Sequence, residues 1–327
     1  MGERAQPLNL DDLQQLLWSF AAHRVVTVAS RTGVLAAVAG RVRTADELAG
    51  DLALDPLALG KVLRALTALG VTRAAGDGYR LVGSLERHLD GGPADLAPFV
   101  EHLHHLYERW GDNLERWVRG EPWETQRRGT VDRRAFGSAM RAMGTHVAEQ
   151  LARAVDLSGA RRMLDLGGGF GHYAQVLCAA NPELRATVVD VAEVADLGRQ
   201  QLAGSPLADR IAFTGGDYLE VELEAESYDL ALLANVLHQE LPARARQLVA
   251  RAAAATARGG RVVAVDFAID EQQRSHVLGA LFAINMRSSG DTYTESTIRG
   301  WFAAAGLDQL ARVDISPIRW AIIGHRR

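Results

Sequence analysis

Cysteine and lysine are almost absent from this chain of 327 residues. Cys178 is the single cysteine, so an internal disulfide framework and a cysteine-cluster metal site are both excluded. It follows Leu177 in an apolar stretch, which predicts a small buried side chain rather than a reactive thiol. Lys61 is the only lysine, and the net charge of −4 argues against a protein that binds polyanions in general.

Long apolar runs are also missing. No segment reaches the roughly 18 uninterrupted apolar residues of a membrane span, and the first residues lack the apolar core of a signal peptide. Hydrophobic residues make up 48% of the chain and charged residues 23%, which is typical of a globular protein. We therefore expect a cytoplasmic protein without a membrane partner, long enough to form two domains.

The N-terminal part has the pattern of helices followed by one hairpin. Apolar residues recur at helical spacing from Leu10 to Phe20. Thr44–Glu47 reads as a capping box, and Asp55 followed by Pro56 is typical of a second helix start. Two short strands with a glycine turn at 75–78 come next. This order of elements predicts a winged helix.

Winged helices often bind DNA, but the charge pattern here does not favour it. Residues 41–80 contain six cations and five anions, which leaves a net charge of only +1. A recognition helix needs polar side chains near its start, whereas the second helix opens with Pro56-Leu-Ala-Leu-Gly60. We therefore expect a dimerisation module and no nucleic-acid partner.

Aromatic and sulfur-containing side chains are concentrated between residues 100 and 155, in a segment with helical character. Two interpretations stay open for Tyr107, Trp110, Met140 and Met143. They either pack a seam between domains or line a substrate pocket, because pockets favour domain interfaces with apolar walls.

From residue 160 onward apolar strands alternate with helices, which predicts a parallel α/β sheet. Strands are expected near 162–166, 185–190, 210–214, 228–234 and 260–267, with a final pair near 309–315 and 318–325.

The first of these strands runs into a glycine turn. The buried strand ends at Asp165, and Gly167, Gly169 and Gly171 follow at alternate positions. A dinucleotide fold would need its third glycine one place later, where His172 stands. Because glycine has no Cβ, the turn lets the backbone approach a ligand closely. The pattern favours S-adenosylmethionine (SAM) over a nicotinamide or flavin cofactor.

Polar residues at the carboxyl ends of the next strands agree with SAM, since ligands of open α/β sheets bind at this edge. Asp190 lies about 20 residues after the glycines, where a carboxylate accepts hydrogen bonds from ribose hydroxyls. Asp217 is placed to accept from an adenine amino group, with Tyr218 covering the ring, and Asn235 ends the fourth strand. Alone, Asp190 or Asp217 could be a simple turn residue.

With these motifs the whole chain resembles the SAM-dependent O-methyltransferases of the caffeic-acid type, in their bacterial natural-product branch. The resemblance implies an α/β fold: a C-terminal Rossmann-like, seven-stranded class I methyltransferase domain and a helical, winged-helix N-terminal dimerisation domain. It divides the chain into a winged-helix domain at 1–100, a helical connector and pocket wall at 101–155, and a SAM-binding catalytic domain at 156–327. It also implies a homodimer formed by the N-terminal modules and a reversed hairpin of the last two strands.

His238 is the candidate general base. It lies just beyond the fourth strand, in the context Val236-Leu-His238, where the resembling family has its base. A histidine suits this task because a neutral hydroxyl is a poor nucleophile until its proton is removed. Asp266, at the end of the next strand, matches the family's acidic partner that holds the imidazole. A role of His238 in lining the pocket stays open.

The chain departs from the family pattern at two places. Gln239 and Glu240 stand where the family often has an Asp-Trp pair. Thr292 stands where the second acidic partner is expected, with Asp291 beside it as a substitute.

The apolar helix at 281–287 corresponds to the helix that contacts the acceptor in the family, which makes Phe282, Met286 and Arg287 candidate substrate-binding residues. Arg287 would clamp a carboxylate of the acceptor. Alternatively, it is only a favourable cation at the C-terminal end of its helix.

The sequence thus predicts an enzyme that transfers a methyl group from SAM, with S-adenosylhomocysteine (SAH) as product, to a small secondary metabolite. A hydroxyl acceptor is favoured, and no metal is expected. The alternatives are C-, N- or S-methylation of a small acid, a non-methylating SAM-binding enzyme of the same fold, and a SAM-sensing DNA regulator.

Overall fold

The structure is a computed structural model that describes residues 8–89, 95–121, 133–271, 277–286 and 289–327, without the side chains of residues 112 and 133–136. The chain forms two compact units, Pro7–Met143 and Gly144–Arg327. No helix in these described ranges is long and apolar enough to cross a membrane.

The N-terminal unit consists of helices and one hairpin. Its elements are α1 (Leu10–Arg31), α2 (Val34–Ala37), α3 (Ala45–Leu52), α4 (Pro56–Ala68), β1 (Thr72–Ala75), β2 (Gly78–Leu81), α5 (Ala97–Val118) and the first part of α6 (Arg133–Ala154). The predicted helix starts are confirmed, because Thr44 and Glu47 form a capping box and the Asp55 carboxylate accepts from the amide of Ala58. Strands β1 and β2 pair in antiparallel fashion, as expected for a hairpin.

The C-terminal unit is built on a mixed seven-stranded sheet. Its strands are β3 (Arg162–Leu166), β4 (Arg185–Asp190), β5 (Ile211–Gly215), β6 (Tyr228–Ala234), β7 (Thr256–Phe267), β8 (Leu307–Ser316) and β9 (Arg319–Arg326). Its helices are the remainder of α6, α7 (His172–Ala180), α8 (Ala192–Leu202), α9 (Pro242–Ala255), α10 (Val277–Met286) and α11 (Glu295–Ala304).

The strand order is β5-β4-β3-β6-β7-β9-β8. The first five strands in this order are parallel, and β9 is antiparallel to both of its neighbours. The predicted parallel sheet and the reversed final pair are therefore confirmed. The strands are apolar along most of their length because both faces of the sheet are covered by hydrophobic clusters. Cys178 is buried in one of them, as predicted.

The direction in which successive strands are added reverses between β3 and β6. From β3 the chain continues outward through β4 and β5, then returns to the other side of β3 with β6 and β7. Such a switch point leaves a crevice at the carboxyl ends of the two strands, where ligands of open α/β sheets bind. The glycine turn and the segment of His238 both begin there.

Candidate active site

The glycine turn after β3 adopts a conformation that requires glycine. Gly167, Gly169 and Gly171 have φ angles of +72°, +58° and +71°. A Cβ added to Gly167 would lie 2.6 Å from Cγ2 of Val236, so the turn is pressed against the segment that follows β6. At Gly169 an added Cβ would meet no atom within 4 Å. The middle of the turn therefore faces open space.

Asp165 lies under this turn and is fully buried. Neither of its carboxylate oxygens accepts a hydrogen bond from the described residues. Burial, with a smaller contribution from the charge of Asp190, raises the pKa of Asp165 to about 7. A buried carboxyl without a donor is costly when it is charged, so burial favours the neutral form of Asp165.

Asp190 at the end of β4 is tied to the same turn. Its Oδ2 accepts from the amide of Gly169 at 2.8 Å, and its Oδ1 accepts from the amide of Val191 at 2.8 Å. These bonds fix the carboxylate beside the open middle of the glycine turn. The predicted ribose-binding carboxylate and the glycine turn are thus neighbours.

Asp217 and Tyr218 follow β5, and their side chains contact Arg244 and Glu240 in the chain after β6. The carboxylate of Asp217 accepts from the amide of Leu219 at 2.8 Å. The hydroxyl of Tyr218 donates to Oε1 of Glu240 at 2.5 Å, and Arg244 pairs with the other oxygen of Glu240 at 2.6 Å. Burial and the hydrogen bond to Glu240 raise the pKa of Tyr218, so its ring is held as a neutral phenol.

Asn235 ends β6 in the left-handed conformation, with a φ of +55°. Its Nδ2 donates to the hydroxyl of Tyr173 on α7 at 3.1 Å, whereas its Oδ1 is buried and receives no hydrogen bond from the described residues. The left-handed backbone turns the chain toward the short 3₁₀ helix Leu237–Gln239. This helix carries His238.

His238 and Asp266 form a buried pair. Their side chains are 5% and 4% exposed, and Nδ1 of His238 lies 2.6 Å from Oδ1 of Asp266. Because a carboxylate only accepts, Nδ1 carries the proton, and Nε2 is the basic nitrogen of the neutral ring. The backbone amide of Phe267 donates to the same Oδ1 at 2.8 Å and holds the carboxylate in place.

Two aromatic rings pack beside the imidazole. Phe282 meets it edge-on at 4.8 Å between ring centroids, and Phe267 is stacked on Phe282 at 3.9 Å. The predicted acceptor-contacting residue Phe282 is therefore in direct contact with the candidate base. Met286 is half-buried on the same helix, α10, and Arg287 lies outside the described residues.

The segment at 290–292 closes on His238 through its backbone. The amide of Asp291 donates to the carbonyl of His238 at 3.1 Å, and a Cβ on Gly290 would lie 2.0 Å from that same oxygen. The hydroxyl of Thr292 is buried and donates to the carbonyl of Gly279 at 3.2 Å. The carboxylate of Asp291 accepts from the amide of Thr292. Thr292 thus has a structural partner where the family pattern has an acid.

The other predicted substrate residues belong to the N-terminal unit. Tyr107 is 43% exposed, and Arg24 of α1 lies 5.5 Å from the centroid of its ring. Trp110 on the same helix is half-buried, and its indole N–H has no acceptor among the described residues. Met140 and Met143 are half-buried on α6. Their role in an acceptor pocket stays a prediction.

SAM fits the residues at the switch point. The backbone of Gly169 faces open space, so a ligand can approach it closely. Three carboxylates, Asp165, Asp190 and Asp217, follow or end neighbouring strands at one edge of the sheet. These acceptors suit the ammonium, ribose hydroxyls and adenine amino group that SAM offers as donors.

Two contacts of this region are not evident from sequence patterns. The hydroxyl of Tyr173 accepts a hydrogen bond from the side-chain amide of Asn235, and the carboxylate of Glu240 accepts one from the hydroxyl of Tyr218. Tyr173 resembles an ordinary core residue of α7 in the sequence. Glu240 is visible only as a departure from the family pattern, which gave no indication that its carboxylate would accept from a tyrosine after another strand.

The chain is similar to known methyltransferases along its whole length. It is 28% identical to the tetracenomycin polyketide synthesis 8-O-methyl transferase TcmO of Streptomyces glaucescens, over 96% of each chain. It is also 28% identical to 3-hydroxy-5-methyl-1-naphthoate 3-O-methyltransferase of Streptomyces sahachiroi, over 94% of this chain and 91% of the relative.

The fold is shared with a solved structure, that of human N-acetylserotonin methyltransferase in complex with SAM. The two superpose with a TM-score of 0.82 over 100% of this chain and 99% of the other, at 23% identity. The sequence model of the O-methyltransferase domain matches residues 103–308. The chain therefore belongs to the O-methyltransferase domain family.

Proposed function

We propose that this protein transfers the methyl group of SAM to a hydroxyl of a small aromatic secondary metabolite. The observation that carries the proposal is the adjacency of two features at the β3/β6 switch point. The glycine turn with its carboxylates suits SAM, and the buried pair of His238 and Asp266 suits a base.

Within the site, each residue has a distinct task. Asp165, Asp190, Asp217 and the glycine turn would bind SAM, with Asn235 and Tyr218 beside them. When bound, SAM supplies an electrophilic methyl group on a sulfonium centre. Nε2 of His238 accepts the proton of the acceptor hydroxyl, and Asp266 stabilises the resulting imidazolium through Nδ1. Burial of the pair keeps bulk water from competing for the base.

The acceptor is proposed to be a hydroxylated aromatic compound, with a carboxylate as a favoured additional group. Phe282 is half-buried beside the base and offers apolar ring surface, which suits contact with an aromatic acceptor. Two relatives carry names that refer to a polyketide and to a hydroxynaphthoate. Arg287 is the proposed partner for the carboxylate, and Tyr107, Trp110, Met140 and Met143 are proposed pocket residues.

The test is an incubation of the pure protein with methyl-labelled SAM and a panel of hydroxylated aromatic compounds, read by mass spectrometry. The panel pairs each hydroxyl compound with its amino and thiol analogue and each acid with its methyl ester. We expect label on the hydroxyl oxygen and faster turnover of the free acids. Label only on the amine or thiol would contradict O-methylation, and SAH binding without any labelled product would favour a non-methylating enzyme of this fold.

We also propose that the N-terminal unit is a winged-helix dimerisation module of residues 1–100, followed by a connector at 101–155 and the catalytic domain at 156–327. Six apolar residues in the first half of α1 are 43 to 69% exposed, which is unusual for a surface that stays in water. These are Leu10, Leu13, Leu16, Leu17, Trp18 and Phe20. A second copy of the chain would cover them.

Oligomeric state tests this part of the proposal. A double substitution of Leu17 and Trp18 by glutamate should convert a dimer to a monomer in analytical ultracentrifugation, whereas Leu57→Glu, at an equally exposed leucine of α4, should not. A monomer before substitution would contradict the proposal. The absence of a metal and of a nucleic-acid partner, and the cytoplasmic location, remain predictions.

A further inference from the structure

Arg319, the first residue of β9, is a buried cation that the proposed mechanism does not use. It is 3% exposed, and its Nη1 has no hydrogen-bond acceptor among the described residues. Burial lowers the pKa of its guanidinium, and the negative charge of Asp266 opposes this effect. A buried charge without a close partner is costly, so its position calls for an explanation.

The guanidinium is held by stacking and forms no ion pair with a residue that the structure describes. Its central carbon lies 3.2 Å from the centroid of the Phe267 ring, the residue opposite Arg319 in the β7/β9 register. The other stacking partner of Phe267 is Phe282, whose edge contact with His238 completes a continuous row of four side chains. The row therefore connects the cation to the candidate base through two aromatic rings.

The charged and titratable groups around the pair of His238 and Asp266 determine which cation acts on the Asp266 carboxylate. Asp291 contributes an anion, and the charge of Glu240 is balanced by Arg244 at 2.6 Å. The hydroxyls of Tyr173 and Tyr293 are neutral, because burial raises the pKa of each to about 12. Arg319 is the cation that interacts electrostatically with Asp266 from the adjacent strand.

We propose that Arg319 is a positioning residue whose buried positive charge stabilises the carboxylate of Asp266 and disfavours a positive charge on the imidazole of His238. A nearby cation favours the charged form of a carboxylate and disfavours the charged form of an imidazole. In a variant without this cation, His238 would take up its second proton at a higher pH than in the unsubstituted protein, because that proton would neutralise the buried charge of Asp266. This inference rests on the proposed role of His238.

The test compares three forms of the full protein: the unsubstituted chain, Arg319→Met and Arg319→Lys. Methionine removes the charge but retains apolar contact with Phe267, and lysine retains the charge. Histidine NMR, with His238 assigned by the loss of its signal in His238→Gln, measures the pH at which its imidazole changes. SAH affinity checks that the cofactor site is intact, and the pH dependence of kcat/KM measures the consequence for turnover.

In Arg319→Met we expect the transition of His238 to move up by about one pH unit. The acidic limb of kcat/KM should move with it, so that kcat/KM falls about tenfold on that limb and stays within about twofold at alkaline pH. Arg319→Lys should keep the original transition. An unchanged transition in Arg319→Met, or an equal shift in the lysine variant, would overturn the proposal, because packing alone would then explain Arg319.

The variants should fold, and the NMR readout should report on His238 independently of methyl transfer. Burying a guanidinium without a hydrogen-bonded anion is itself costly, and methionine relieves that cost while keeping apolar contact with Phe267, so Arg319→Met should fold. Arg319→Gln provides a second uncharged variant. The NMR transition does not depend on methyl transfer. A transition that moves while the acidic limb of kcat/KM stays fixed would sustain the role of Arg319 and refute His238 as the base.

Discussion

The glycine turn allows structural strain and ligand contact to be separated by substitution. In Gly169→Ala the added Cβ meets no atom within 4 Å, so the cost to folding is the left-handed backbone alone, about 1 to 2 kcal/mol. In Gly167→Ala the Cβ would also lie 2.6 Å from Cγ2 of Val236, which is only 1% exposed and cannot move aside. Overpacking adds about 1 to 3 kcal/mol there.

The two substitutions should rank differently in ligand affinity and in the free energy of unfolding. If SAM occupies the open space at Gly169, the alanine methyl intrudes on it, and we expect the Kd for SAH to rise at least tenfold, about 1.4 kcal/mol. The matched control is Gly159→Ala in the turn before β3, with a φ of +73° and no atom within 4 Å of its Cβ. It carries the same strain on the opposite edge of the sheet and should bind SAH normally.

The assays are urea unfolding of the ligand-free protein and calorimetric titration with SAH. Gly167→Ala should lose the most stability, and Gly169→Ala should lose affinity out of proportion to its stability. Equal SAH affinities of Gly169→Ala and Gly159→Ala would refute the idea that the glycine turn cradles the cofactor.

Three further predictions concern the carboxylates. Asp190→Asn should raise the Kd for SAH by about tenfold or more in calorimetry, because hydrogen bonds to a charged group are strong, and an unchanged Kd would exclude Asp190 from the site. Asp266→Asn should lower kcat by about 10² to 10⁴ with SAH affinity retained, since the imidazolium loses its stabilising charge, and an undiminished kcat would contradict the base assignment. The raised pKa of Asp165 means that folding favours its protonated form. The unfolding free energy of the ligand-free protein should therefore decrease as pH rises from about 4 to 7, by at most about 1.4 kcal/mol per unit. Asp165→Asn should remove this slope in urea titrations at several pH values, and a slope that persists would assign it to other groups.

Much of the catalytic unit could be predicted from sequence because its signals are local. The buried strands are continuous apolar runs, and their ends were placed within a few residues by the polar groups that follow them. Strand β7 begins earlier than predicted, at Thr256, because Gly259 and Gly260 interrupt its apolar pattern and its pairing with β6 is irregular there. The capping residues of α3 and α4 could be predicted equally well, since a cap depends on only four neighbouring positions.

The side-chain contacts between distant strands could not be predicted in the same way. The pairing of His238 and Asp266 was expected from the family resemblance, not from spacing. The row from Arg319 through Phe267 and Phe282 to His238 joins β9, β7, α10 and the segment after β6. No local pattern encodes such contacts, because they depend on the register of β9 against β7. The apolar stripe of α1 likewise predicted a helix but not its exposure in the single chain.

The most direct test of His238 as the base is the turnover of His238→Ala at saturating SAM, with the best acceptor found in the panel of hydroxylated aromatic compounds. The Kd for SAH is measured in parallel. We expect kcat to fall by about 10² to 10⁴ while the Kd for SAH stays within twofold, because His238 serves the proton and not the cofactor. A kcat close to that of the unsubstituted protein would contradict a base at His238.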